Sequence, residues 1–200
     1  MTLRTNAKLF ERIRQGCTVT FMSDVVVPAQ HHPVSACLLI AIHDAMAQYP
    51  YTNRRVVRTW WGGTRLKQYK RRDIAVATDS HLEGYWWTHG VIHDSKIGTT
   101  IRHGNSIESL TCAFTNAFDH ETAVMLDLTN KTGVDASVAA WPWPISFSFG
   151  QLRPALDGQH VVTVSMNFDR RIMAGAPAAK FWWSVIEKTG ELLLKKASEG

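Results

Sequence analysis

Apolar and polar residues alternate most regularly in the run VVTVSMNFD near the C-terminal end. There Val161, Thr163, Ser165 and Asn167 are interleaved with Val162, Val164, Met166 and Phe168. A period of two with β-branched residues predicts a strand with at least one buried face. After Asp169-Arg170-Arg171 the chain turns at Gly175 and the period changes. Ala178, Phe181, Trp182, Val185 and Ile186 recur at helical spacing, with Pro177 near the first helical position, where its missing N–H costs nothing. A charged turn between a buried strand and a buried helix is held from both sides and can aim side chains into a cleft.

The same patterning lays out the rest of the chain. A short helix is expected from Thr5-Asn6 to about Arg14, followed by a strand over Cys17–Val27. From Pro33, the residues Val34, Cys37, Leu38, Ala41, Ile42, Ala45 and Met46 form one apolar helical face. Leu39 and Ile40 widen it, which predicts a mostly buried helix. It stops at Tyr49-Pro50, because the residue before proline avoids the helical region. Val56–Trp61 and Thr64–Tyr69 flank Gly62-Gly63 and predict a hairpin. Further strands are expected over Asp73–Thr78, Tyr85–His93 and Ala123–Leu128, with Asp157-Gly158 turning into the last strand. Asn105 or Ser106 caps an expected helix carrying Ile107, Leu110, Phe114 and Ala117. There is no internal repeat or linker, so the reading is a single α/β domain over residues 1–200.

Composition narrows the class. The chain has 200 residues, 45% hydrophobic and 20% charged, which is globular rather than disordered composition. Its net charge of +5 suits an anionic ligand such as a coenzyme phosphate, although most such surpluses belong to a solvated face. Three widely spaced cysteines without a CxxC pair argue against a disulfide framework or a zinc site. No apolar run reaches the length of a membrane span and the N-terminus lacks a signal-type apolar core. The expectation is a cytoplasmic protein without a membrane segment and without a metal. Eight Trp, several in pairs (Trp60-Trp61, Trp86-Trp87, Trp182-Trp183), fill either a core or an interface.

The run Asn167-Phe168-Asp169-Arg170-Arg171-Ile172-Met173-Ala174-Gly175-Ala176, followed by Ala178-Ala179, resembles the active-site segment of the chloramphenicol acetyltransferase-like superfamily. It is most similar to the acyltransferase core of 2-oxo acid dehydrogenase complexes, which carries Ser-Phe-Asp-His-Arg-x-x-Asp-Gly-Ala at the end of a strand. The resemblance covers nearly the whole chain. Tyr51-Thr52-Asn53 fits the family's loop after the buried helix. Thr129-Asn130-Lys131-Thr132-Gly133 looks like its Ile-Ser-Asn-Leu-Gly turn with one insertion. Trp141-Pro142-Trp143-Pro144 with ISFSFG looks like its Pro-rich segment and following strand. The resemblance implies a mixed sheet covered by helices, a homotrimer with ligand channels between subunits, and an acyl thioester such as acyl-coenzyme A as co-substrate. The expectation is a core without the lipoyl and subunit-binding domains that precede it in full dehydrogenase components.

The resemblance also locates two departures. Arg170 stands at the family's general-base histidine, and Ala174 at its aspartate. A guanidinium has donors only and no acceptor atom, so Arg170 cannot abstract a proton. It can grip a carboxylate or phosphate, or stabilise developing negative charge; the plainer alternative is an ion pair with an acid such as Asp169. Asp169 is expected to order Arg171 or backbone amides. Thr129, or else Thr132, matches the family's oxyanion hydroxyl. Ser165, Asn167, His89 and His93 are candidate substrate contacts, each also explicable as an ordinary polar strand residue. His43, mid-helix beside Asp44, reads as structural or as an interface residue. The basic run Arg65-x-Lys67-x-Tyr69-Lys70-Arg71-Arg72 could grip nucleic acid, but a solvated hairpin or a coenzyme phosphate contact suits it better. Two functions from different classes remain: transfer of an acyl group to a small-molecule acceptor, or a non-catalytic trimer that binds a ligand or supports an assembly.

Overall fold

The strand expected from the alternating run is present, spans His160–Asp169 and lies between two neighbours in the sheet. This computed structural model describes residues 18–28, 33–78, 88–97, 122–128, 133–138 and 143–198. In chain order its first elements are β1 (Thr18–Val27), α1 (Val34–Gln48), β2 (Arg54–Arg58) and β3 (Thr64–Gln68). They are followed by β4 (Ile74–Thr78), β5 (Thr88–Ile92), β6 (Val124–Asp127) and β7 (Ile145–Phe149). The two-residue β8 (Arg153–Pro154), β9 (His160–Asp169) and α2 (Gly175–Ser198) complete the described set. The expected helices near residues 5–14 and after Asn105 lie outside the described residues.

The main sheet runs β1-β9-β7-β6-β4-β5, with β8 also paired to β9, and β2-β3 form a separate ribbon. β4, β6 and β7 are mutually parallel, whereas β1, β7 and β8 are antiparallel to β9 and β5 is antiparallel to β4. It is the mixed sheet covered by helices that the resemblance implies. The register Ile74–Val124–Ile145–Phe168–Val19 forms one continuous row across five strands. Side chains in that row face the helices. Phe21 lies 5.2 Å from Phe168, and Phe147 lies 6.0 Å from Phe181 and 6.3 Å from Trp182 between ring centroids. α1 is buried around most of its circumference, from Val34 to Met46, as its widened apolar face predicts.

The hairpin differs from the expectation. β2 starts at Arg54 and stops at Arg58, so Trp60 and Trp61 sit in the connecting turn rather than on a strand. Gly62, at φ +85°, supplies the left-handed residue that the turn needs. Thr59 N–H donates to Gly63 O at 2.9 Å and Gly62 N–H to Thr59 O at 3.0 Å, which closes the loop five residues long. At its base, buried Asn53 donates through Nδ2 to Tyr69 O and Arg71 O and accepts Tyr69 N–H at its own carbonyl.

A charged cluster ties α1 to the far edge of the sheet. Buried His43 donates through Nε2 to Asp94 Oδ1 at 2.6 Å, and Arg72 adds its backbone N–H and its Nη2. On its other side the His43 ring faces Asp44 at 3.6 Å. Asp94 N–H donates to fully buried Asp73, which also meets His93 and Arg71. Burial pushes the Asp94 carboxyl up. The hydrogen bonds from His43 and Arg72, together with their charges, outweigh that and leave its pKa below the ordinary 3.8.

A folded pKa below the unfolded one contributes stability that is present above 3.8 and lost as pH falls through the folded value. Thermal melts should therefore show Asp94→Asn less stable than the parent at neutral pH. The gap should narrow once the pH falls below the ordinary carboxylate pKa; a gap that widens on acidification contradicts this linkage. A second expectation contrasts core and tip. Phe147→Ala should cost about 3–5 kcal/mol in a denaturant titration, whereas Trp60→Ala, at a ring 93% exposed, should stay within about 0.5 kcal/mol.

Candidate functional site

β9 delivers Asp169 to the end of the sheet, where its N–H donates to Pro144 O at 2.9 Å. The next residues form a turn fastened by one carboxylate. Asp169 accepts the Arg171 backbone N–H at 2.8 Å and the Arg171 Nε at 2.9 Å on each oxygen, with Nη2 completing a two-pronged pair. Ile172 N–H donates to Asp169 O, Ile172 and Met173 are buried, and Ala178 N–H donates to Ala174 O to open α2. The turn is thus pinned at both ends. Arg170 stands exposed in the middle of it, and Ala174 is exposed four residues on. Asp169 fastens this turn through Arg171, not through Arg170, and both its oxygens are taken up by Arg171.

Behind the turn, Asn167 and Ser165 lie on the face of β9 that points away from the helices. This second face is buried as well. Ser165 is 1% and Asn167 5% exposed, because β1 and β7 flank the strand and residues 133–138 lie alongside. Ser165 Oγ meets Ser148 Oγ at 2.9 Å, and both hydroxyls reach the Ser137 carbonyl. Thr20 donates to Asn167 Oδ1. Residues 133–138 come close enough that a Cβ on Gly150 would stand 2.0 Å from Asp135 O, so only glycine fits there. The polar stripe is therefore an internal hydroxyl network that leads up to the turn.

The remaining candidates are not gathered at this turn. His93, 47% exposed in its side chain and 3.3 Å from Asp73, shares the sheet end with Arg170. Four strand spacings separate β5 from β9, which is about 19 Å. His89 pairs with Ala77 in the body of β5, further from the turn. Thr129 and Thr132 lie outside the described residues, but Thr129 is joined to Leu128 at the end of β6. β6 is parallel to β7, and β7 is antiparallel to β9. The C-terminal ends of β6 and β9 consequently point to opposite edges of the sheet. Leu128 is four rows from the Val124–Ile145–Phe168 row in one direction and Arg170 two rows in the other, about 20 Å along the strands. Within one protomer, Arg170 and the end of β6 do not meet.

The periodicity of β1 and β7 carried a signal for the partners that sequence reading left out. Thr18, Thr20, Met22 and Asp24, like Ser146 and Ser148, recur at every second position on the face shared with Ser165 and Asn167. Nothing local pointed to the His43–Asp94–Arg72 set, which joins residues 51 and 22 positions apart. Among the described residues, no three His, Cys, Asp or Glu side chains are grouped as a metal site requires.

Comparison with known proteins is informative at the level of structure. The sequence matches no family model and no curated protein. A probable dihydrolipoamide acetyltransferase from Listeria monocytogenes 4b F2365 superposes with a TM-score of 0.65 at 16% identity, covering 94% of this chain and 91% of that one. The dihydrolipoamide acetyltransferase of Azotobacter vinelandii gives 0.63 at 15%, covering 96% and 90%; a serine, a histidine and an asparagine have been investigated in its catalytic mechanism. A chloramphenicol acetyltransferase gives 0.56 at 16%, covering 94% and 96%. The chain has the mixed α/β fold of chloramphenicol acetyltransferase and of the acetyltransferase cores of 2-oxo acid dehydrogenase complexes.

Proposed function

We propose that this chain is a single acyltransferase-like domain, cytoplasmic and homotrimeric, that binds an acyl thioester such as acyl-coenzyme A and passes the acyl group to a small-molecule acceptor. The observation that carries the reading is the turn itself. A chelated Asp169–Arg171 pair and two buried residues hold it, and it presents Arg170 at the place that resembles the family's catalytic histidine. In the Azotobacter vinelandii enzyme the investigated histidine and asparagine are four residues apart, the interval between Arg170 and Ala174 in this chain.

In such a transfer the acceptor attacks the thioester carbonyl, an oxyanion forms, and the thiolate leaves as the acceptor gives up its proton. Arg170 supplies the donor half of that chemistry, either by stabilising the oxyanion or by holding an anionic group of donor or acceptor. With no side-chain base at Arg170, the acceptor's proton passes to the departing thiolate or to solvent, which makes turnover slow. Thr129 as an oxyanion hydroxyl is compatible with this role only across a subunit boundary, since the end of β6 and Arg170 occupy opposite edges of one sheet. That opposition supports an oligomer with sites between copies.

One observation favours the non-catalytic alternative. The two carboxylate oxygens of Asp169 are engaged by Arg171, and residues 167–178 contain no other carboxylate and no imidazole. A ligand-binding trimer without turnover has the same architecture.

Sedimentation should report a trimer at micromolar concentration; a stable monomer refutes an intersubunit site. At the turn, Arg170→His with Ala174→Asp rebuilds the family motif. In a decayed acyltransferase the double variant gains thioester-cleavage or acyl-transfer rate, by up to the factor of about 10²–10⁴ that a positioned base contributes. If Arg170 holds an anionic ligand, the same variant loses binding, and Arg170→Lys weakens it because an ammonium cannot reproduce the two-pronged fork. Variants that equal the parent in both assays remove Arg170 from the site.

A further inference from the structure

On β9 the sheet face opposite the helices is buried, but on the edge strand β1 it is open. Every second residue there is exposed, from Thr18 through Thr20, Met22 and Asp24 to Val26, with Met22 at 46% and Val26 at 50%. Met22 stands opposite Ser165, whose hydroxyl donates to the Ser137 carbonyl. Residues 133–138 therefore border this face from across β9, and they add Val134 at 42% and Val138 at 53% exposure. Exposed apolar side chains scattered singly are ordinary, whereas a cluster of them marks a contact surface. The outer side of β1 adds to the case. Its ten residues pair continuously with β9 on one side and with no strand among the described residues on the other. They include no proline, lysine or arginine, the residues that commonly blunt an edge strand.

We propose that this surface, formed by the helix-free face of β1 and by residues 133–138, is where a second copy of the chain docks to complete the site at Arg170. The proposal rests on the intersubunit reading of that site and specifies the surface which that reading leaves open. Two observations select a second copy as the occupant. The first is position. Thr18 is paired with Asp169, so β1 is the sheet edge that flanks the Arg170 turn. The other edge, β5, is four strand spacings from β9, about 19 Å. The end of β6 does not meet Arg170 within one copy, and a neighbour seated against β1 is the one placed to bring its own.

The second observation is charge. Copies that each carry +5 repel one another, so they meet at least cost where cations are not in surplus. On this face Asp24 is paired with Arg153 at 3.2 Å, and Asp135 accepts from Gln151 Nε2 at 3.0 Å. The described residues of the face thus carry no cationic surplus, and the exposed residues between them are apolar or hydroxylic. Depletion of charge at the centre is what an interface core shows.

Analytical ultracentrifugation of the full chain is the test. The parent should sediment as a trimer, and Met22→Lys with Val138→Lys should convert it to monomer at the same concentration. Neither side chain belongs to the core, so far-ultraviolet circular dichroism should be unchanged. Trp60→Ala with Trp61→Ala, at the exposed tip of the β2-β3 ribbon, should leave the trimer intact. A second measurement needs no variant: in the parent, amide hydrogen exchange over residues 18–26 and 133–138 should slow as concentration rises through the range where the trimer forms. A trimer retained by the Met22 and Val138 variant overturns the surface and leaves the intersubunit site standing. Exchange in those segments that ignores assembly does the same, as does a trimer lost only in the Trp variant. A dimer dispersed by the Met22 and Val138 changes keeps the surface and overturns the trimer. A parent that stays monomeric overturns both.

Discussion

A central strand buried on both faces has to satisfy two sets of neighbours at once, and β9 does so by dividing its residues by parity. Val162, Val164, Met166 and Phe168 belong to the apolar core beneath the helices. Thr163, Ser165, Asn167 and Asp169 are buried too, and each has its polar group bonded. Both conditions must hold together, since a buried hydroxyl or carboxylate without a partner costs more than its bond contributes when made. This constraint fixes the register of β1 and β7, because Thr20, Ser148 and Asp24 are usable only in one alignment. A slip of one residue would turn the polar set against α2 and push the apolar set into the hydroxyl network.

That division explains what was legible in the sequence. Strand β9 and helix α2 were readable because a period of two gives way to helical spacing across one short turn. The buried state of Ser165 and Asn167 was not, because alternation looks the same whether the polar face meets solvent or a hydroxyl network. The answer lay in residues 137, 148 and 20, far away in the chain. The hairpin failed locally instead. Gly62-Gly63 signalled a turn, but β-propensity placed Trp60-Trp61 on a strand, and a longer loop closed by Thr59 and Gly63 puts them at the tip. Of the candidate site, Asp169 and Arg170 were legible together. The opposition of the β6 and β9 ends was not, since strand direction is a property of the assembled sheet.

Strand direction bears hardest on chemistry. In a sheet where β6 and β9 run oppositely, residues after each of them are presented at opposite edges, whatever their identity. A group following β6 can therefore meet Arg170 only if it comes from another copy, so a site that used both would lie between copies. The same logic bears on position 170, where the motif that this turn resembles carries a histidine. An imidazole there must be both oriented and accessible. The Asp169–Arg171 pair would hold the backbone for it, yet Ala174 offers nothing to fix its ring. A guanidinium is less demanding: its planar fork carries several donors and can meet an anion from more than one direction. With alanine at position 174, a cation at position 170 needs no orienting partner there to remain available to an anion.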